Sequence, residues 1–313
     1  MKALLSGALM EGPRGRRIAY ALLLVAPALF ATNILVARAT ADFIPPVALA
    51  FWRWFLVLLL LLPLCGADLW RQRWAALAEW RSLLLLGTLG MGICGAFVYI
   101  GADTTSATNI GLIYAASPVF IGLFAALFFG ERLGAPQIAG AACALAGVVV
   151  LVCRGDPDVL LGLRFVVGDL WIATSALCWA VYSVVLRYVP SRLDGMTRFA
   201  AICLCGVAVL LPGHLWEAMA VGLPSLDRRT VGFVLLIALV AGFAAYQVYG
   251  LIQRSLGAAR AGLLMYLIPL YNAGLAVLLL DEQLQRYHLL GAALVVPGLL
   301  LANAWPQRRA ARP

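Results

Sequence analysis

The groups able to do chemistry in this 313-residue chain are the polar and aromatic side chains that stand inside long apolar runs. Asn33 is one, and an amide in an apolar medium is costly unless it finds a partner. Trp179, Tyr182 and Ser183 lie together in another run, and Tyr246, Tyr249 and Gln253 follow an i, i+3, i+7 spacing that puts them on one helix face. Tyr99, Tyr114, Ser117, Tyr266, Tyr271 and Asn272 complete the set. The chemistry on offer is stacking and hydrogen bonding, not bond making. The set predicts an aromatic, weakly polar lining without a fixed strong charge, suited to amphipathic or zwitterionic small molecules.

Other chemistries lack their residues. The only lysine is Lys2, so no phosphate-cradling G-x-x-x-x-G-K-[ST] loop exists. The two histidines, His214 and His288, stand near the ends of apolar runs in no metal-ligand spacing. No carboxylate lies clearly inside an apolar run; Asp103 comes nearest, just past one. The 7 cysteines are an odd number without a C-x-x-C pair, which reads as packing, not as a disulfide or metal framework. These readings predict no catalytic residues, no metal and no cofactor.

The elements that must position the polar set follow from composition. Apolar residues make up 64% of the chain and charged residues 12%, against about 45–50% and about 25% in soluble domains. Lipid is the solvent that tolerates such a surface. A spanning helix needs roughly 20 mostly apolar residues. Ten runs answer, at 18–37, 46–64, 83–101, 110–129, 137–153, 170–186, 196–213, 231–252, 261–280 and 288–304. They are solid, not alternating, which favours helices over a barrel. The predicted fold is an all-α integral membrane protein of ten transmembrane helices. The net charge of +9 sits at helix ends, so it signals topology and not nucleic-acid binding. With the N-terminus inside, 16 of the 23 basic residues fall on cytoplasmic segments, so the positive-inside rule predicts both termini in the cytoplasm.

The chain also repeats itself. An offset of 151 carries Gly111 onto Gly262, Pro118 onto Pro269, Glu131 onto Glu282, Gly140 onto Gly291 and Gly147 onto Gly298. An offset of 149 sets Phe30, Asn33 and Arg38 beside Trp179, Tyr182 and Arg187, and one of 145 sets Arg53 on Arg198. Two five-helix halves, 18–153 and 169–304, are predicted, and an odd helix count inverts the second half in the bilayer. Inverted repeats mark secondary transporters. Pro118 and Pro269 stand inside helices, where each is either a packing kink or a hinge facing a cavity. Glu131 and Glu282 fall in tight turns and are predicted to favour the N-termini of the helices that follow. Gly140, Gly291 and their neighbours form small-residue stripes for close helix contact. Arg53 and Arg198, near helix starts, are predicted to reach the headgroups, the alternative being that they bind an acidic group of the substrate or a gate carboxylate.

The arrangements Pro…Gly130-Glu131-Arg132-Leu133…Gly…Gly and Pro…Asp281-Glu282-Gln283-Leu284…Gly…Gly resemble the EamA-type repeat of the drug/metabolite transporter superfamily. So do the segment 46–54 and Gly168-Asp169-Leu170-Trp171. Asp281 departs from the glycine usual at that place. The resemblance covers nearly the whole chain and implies a central cavity between two EamA domains in a bacterial inner membrane. It implies export of small metabolites by a chain that is a monomer, its two halves already joined, with a small molecule and the lipid bilayer as its partners. Import of a vitamin-like solute such as riboflavin, and facilitated diffusion through a channel, stand as alternatives.

Overall fold

The computed structural model describes residues 12–131, 133–271, 273–274 and 285–304. The long helices are α1 (Gly12–Thr40), α2 (Pro46–Arg71), α3 (Trp80–Ala102), α4 (Thr108–Phe129), α5 (Ala135–Val152), α6 (Val167–Tyr188), α7 (Gly195–Val221) and α8 (Arg228–Leu256). A shorter apolar helix, α9 (Ala258–Tyr271), and then α10 (Arg286–Ala304) follow. Among the described residues 9 helices are long and apolar enough to cross a membrane. The ninth predicted span, 261–280, falls in part on α9 and in part outside the described residues. Leu127 and Phe128 are 67% and 71% exposed near the end of α4, a surface made for lipid and not water.

Local chemistry sets the helix ends. Gly130 closes α4 at φ +64, the left-handed conformation that glycine adopts without a Cβ penalty. This gives the first Gly-Glu pair of the repeat its reason. The Glu131 carboxylate, in the turn before α5, accepts from the Tyr188 hydroxyl at the end of α6. Ala116 interrupts α4, so that Pro118 sits in the first turn of the second segment, where its missing N–H costs least. The Gly168-Asp169 pair is a joint. The Asp169 carboxylate accepts from Thr105, from Asn109 Nδ2 at 3.0 and 2.9 Å and from the Val166 N–H at 2.8 Å. A Cβ on Gly168 would lie 2.4 Å from the Thr104 hydroxyl oxygen, so α6 begins pressed onto the loop after α3.

Two antiparallel helix pairs carry the internal likeness. In the first, Gly140 on α5 meets Gly298 on α10, and Gly147 meets Gly291; built Cβ atoms would stand 2.4 and 2.8 Å from the facing carbonyl oxygens. The 151-residue offset exchanges these two contacts, as a local two-fold axis between the helices requires. In the second pair, Glu217 near the end of α7 accepts from the Val47 and Ala48 N–H groups at the start of α2, at 3.0 and 2.6 Å. Here the 145-residue offset carries Trp54 onto Phe199, and those two rings touch each other at 6.5 Å. Helices α3 and α8 share a further feature, a wide π-helical segment at Gly87–Ile93 and at Ile237–Ala244. Such segments loosen the backbone ladder and recur at functional sites.

Because Glu217 supplies two charge-assisted bonds to a helix N-terminus, Glu217→Ala is expected to cost about 1–2 kcal/mol. A lower thermal unfolding midpoint in detergent is the readout. An unchanged midpoint would mean that other donors or water replace the cap.

Candidate functional site

Seven aromatic rings from five helices meet in one cluster. Trp179 of α6 lies 5.4 Å from Tyr182, 5.5 Å from Tyr246, 5.0 Å from Tyr249 and 5.6 Å from Phe30 of α1. Trp54 of α2 stands edge-on to Tyr246 at 4.8 Å, and Phe199 of α7 closes the group against Trp54 and Tyr246. Tilted and edge-to-face pairs of this kind add to burial energy. Glycines on α3 make room for them: a Cβ on Gly90 would lie 2.6 Å from the Tyr182 ring, and one on Gly95 3.0 Å from Trp54 Nε1.

Beside the rings lies Arg53, which corrects two expectations. It does not reach for the headgroups, being 2% exposed, and it places a fixed positive charge against the aromatic lining. Its position seven residues into α2 sets its Cα about 10 Å along the helix. One guanidinium nitrogen, Nη1, donates to Asn33 Oδ1 at 2.8 Å and to the Tyr99 hydroxyl at 3.0 Å. Nη2 donates to the Ala241 carbonyl, in the π-helical segment of α8, at 2.9 Å. Tyr99 in turn donates to Asn33 Oδ1 at 2.6 Å. The guanidinium carbon also lies 4.6 Å from the Trp54 ring and 5.8 Å from Tyr246, a cation–π arrangement. Among the described residues no carboxylate is within ion-pair distance of Arg53, and its Nε has no hydrogen-bond partner. Packing of α1, α2 and α3 therefore gathers Asn33 and Tyr99 around a charge that spacing alone did not associate with them.

A cleft of about 620 Å³, counted with its mouth, opens alongside. Tyr182, Tyr246 and Gln253 line it together with Arg187, Arg198 and Arg254. Arg198 donates through Nη1 to the Leu186 carbonyl and through Nη2 to the Val189 carbonyl, both at 3.1 Å, covering the C-terminal end of α6. Asp194, just before α7, fixes the start of that helix through Met196 N–H, Thr197 N–H and the Thr197 hydroxyl. Burial pushes the Asp194 carboxyl up, but these bonds and one from Gln72 outweigh it and hold the group below the ordinary carboxylate value. Tyr246 forms the wall between the cleft and Arg53, its hydroxyl donating to the Gly90 carbonyl in the π-helical segment of α3 at 3.0 Å.

The remaining sequence candidates divide. Tyr249 donates to Ser183 Oγ at 2.8 Å, and Gln253 Nε2 to the Ser183 carbonyl at 3.0 Å. Tyr114 shares a hydrogen bond of 2.7 Å with Ser175. Ser117 and Tyr266 are fully buried, and their hydroxyls have no partner among the described residues. Tyr271 turns away from the ring cluster and donates to the Leu24 carbonyl of α1. Asn272 and Glu282 lie outside the described residues. The rings of Phe30, Trp54 and Phe199 escaped the sequence reading because an apolar ring in an apolar run carries no contrast.

Comparison with known proteins agrees with this architecture. The model of the EamA-like transporter family matches twice, at residues 17–153 and 166–304. An uncharacterized transporter from Archaeoglobus fulgidus is 27% identical over 262 residues, covering 83% of this chain and 88% of that protein. A probable terminal-alkyne amino-acid exporter from Streptantibioticus cattleyicolor is 26% identical, over 71% of this chain and 72% of its own length. A probable amino-acid metabolite efflux pump from Escherichia coli is 26% identical, over 68% and 75%. One solved structure superposes with a TM-score of 0.72 over 92% of this chain and 97% of that one at 24% identity, a likeness of fold. The chain is thus a multi-pass membrane protein of the EamA-like transporter family within the drug/metabolite transporters, a transporter of small molecules and not an enzyme.

Proposed function

We propose that the protein is a secondary transporter that exports small amphipathic metabolites, amino-acid-like compounds foremost, from the cytoplasm by alternating access. The observation that carries this reading is the ring cluster between helices of both halves, Phe30 and Trp54 from one and Trp179, Tyr182, Phe199 and Tyr246 from the other. It stands beside a polar cleft, and a cargo with one apolar and one polar end meets both surfaces. Two of the relatives are named for amino-acid compounds and for export, which supports the cargo class and the direction. The two halves act as inverted five-helix repeats, 18–153 and 169–304. In an inner membrane with both termini cytoplasmic, the arginine-lined cleft faces the cytoplasm. One chain holds both halves, so the working unit is a monomer.

Counterflow in proteoliposomes tests this. Loaded vesicles are expected to accumulate a labelled amino acid or aromatic metabolite saturably and to lose it on chase with unlabelled excess. A channel shows neither. Tyr246→Phe removes the bond to the Gly90 carbonyl and keeps the ring, so exchange is expected to fall several-fold with apparent affinity little changed. Unaltered transport after Asn33, Tyr182 and Tyr246 are each replaced by alanine would sink the site assignment.

A further inference from the structure

The two arginines related by the repeat are in different situations. Arg53 is locked: its fork binds Asn33, Tyr99 and the Ala241 carbonyl. Arg198 is half-buried on the wall of the open cleft, its fork on two carbonyls at the end of α6. Both keep a buried Nε without a partner, and among the described residues neither is within ion-pair distance of a carboxylate. The carbonyl that holds Arg53 belongs to the π-helical segment of α8, whereas the bond on the π-helical segment of α3 comes from Tyr246, to the Gly90 carbonyl, and Arg198 is bound elsewhere. In this state the two halves thus differ in what holds their repeat-related arginines.

The Arg53 guanidinium is kept out of water with no carboxylate at ion-pair distance among the described residues, which is expensive, and intramembrane charges of this kind mark functional sites. A carboxylate is the group whose geometry fits the arginine fork. We infer that Arg198 and Arg53 are alternately exposed seats for one carboxylate of the cargo. The arginine facing the open cleft takes the anion, and its mate is locked on the carbonyl of the opposite π-helical segment. Here Arg198, with Arg254 beside it in the cleft, is the exposed seat. In the opposite state Arg198 turns to the π-helical segment of α3, and Arg53 leaves Ala241 to face the other side. This rests on the carrier reading above and adds the charge of its cargo.

The test follows thermal unfolding of the purified full chain with benzoate, L-phenylalanine and L-phenylalaninamide, each variant measured against its own baseline. Both carboxylates are expected to raise the wild-type midpoint and the amide to leave it unmoved. Arg198→Gln is expected to weaken the apparent affinity for the carboxylates by about tenfold or more. Arg53→Gln is expected to retain binding in this state but to exchange the carboxylates no faster than the amide in counterflow. Purely structural arginines would lower the baseline and leave the carboxylate preference intact, which overturns the inference. So would equal shifts by amide and carboxylate, or no shift by either carboxylate. If phosphatidylglycerol alone raises the midpoint and Arg198→Gln removes that effect, the seat serves a lipid phosphate and the inference falls. Carboxylate-selective binding without counterflow would instead remove the carrier reading and keep the seat.

Discussion

Gly140→Leu is expected to leave little monodisperse protein in detergent, the most damaging single change this fold offers. The built Cβ at Gly140 stands 2.4 Å from the Gly298 carbonyl oxygen and 2.5 Å from the Ala302 nitrogen. Both are backbone atoms, so no rotamer change can clear the space. In lipid the helices gain no hydrophobic drive to stay together, and close van der Waals contact between small residues takes its place. Forcing α5 and α10 apart also strains the second contact of the seam, Gly147 on Gly291, because the same two helices make both. Overpacking costs about 1–3 kcal/mol where side chains can adjust, and here they cannot. Against a total stability of about 5–15 kcal/mol the loss is large. Size-exclusion profiles and unfolding midpoints measure it. Gly232→Ala is the control, since nothing lies within 4 Å of its built Cβ, and it is expected to behave as wild type. If Gly140→Leu behaves like that control, α5 and α10 do not depend on this seam.

That seam was legible from residue types because glycine at matched offsets has few other uses in a membrane helix. The spans were legible too, since solid apolar runs of about 20 residues have one good solution in lipid. The charge at the site was not. An arginine seven residues into a helix either snorkels or turns inward, and only the positions of Asn33 on α1, Tyr99 on α3 and Ala241 on α8 decide between them. Those helices are brought together by packing, which leaves no local periodicity to read. The π-helical segments are likewise silent in the sequence, because a single wide turn changes no apolar pattern. Glu131 shows the same limit. Its place in a turn suggests a role at the start of the next helix, and nothing local points to the Tyr188 hydroxyl, distant in sequence, which is a partner it has in space.

Asn33 offers a pair of substitutions with opposite signs. Its Oδ1 accepts from both Arg53 and Tyr99, at 2.8 and 2.6 Å. Asn33→Ala leaves a buried guanidinium and a buried hydroxyl short of an acceptor, and losing a hydrogen bond to a charged group costs about 1.5–3 kcal/mol. The unfolding midpoint is expected to drop and transport to be largely lost, because Arg53 then no longer has a fixed position. Asn33→Asp keeps the shape and adds the counter-charge that Arg53 lacks. In this dry setting the attraction is strong, and no new group has to be buried to gain it, since the amide already occupies the place. The midpoint is therefore expected to rise while transport of carboxylate-bearing solutes falls, the internal carboxylate holding the arginine in place of the cargo. A variant more stable and less active is the signature of a charge left uncompensated for a function. Both variants losing stability together would instead mean that Asn33 serves only to space α1 from α2.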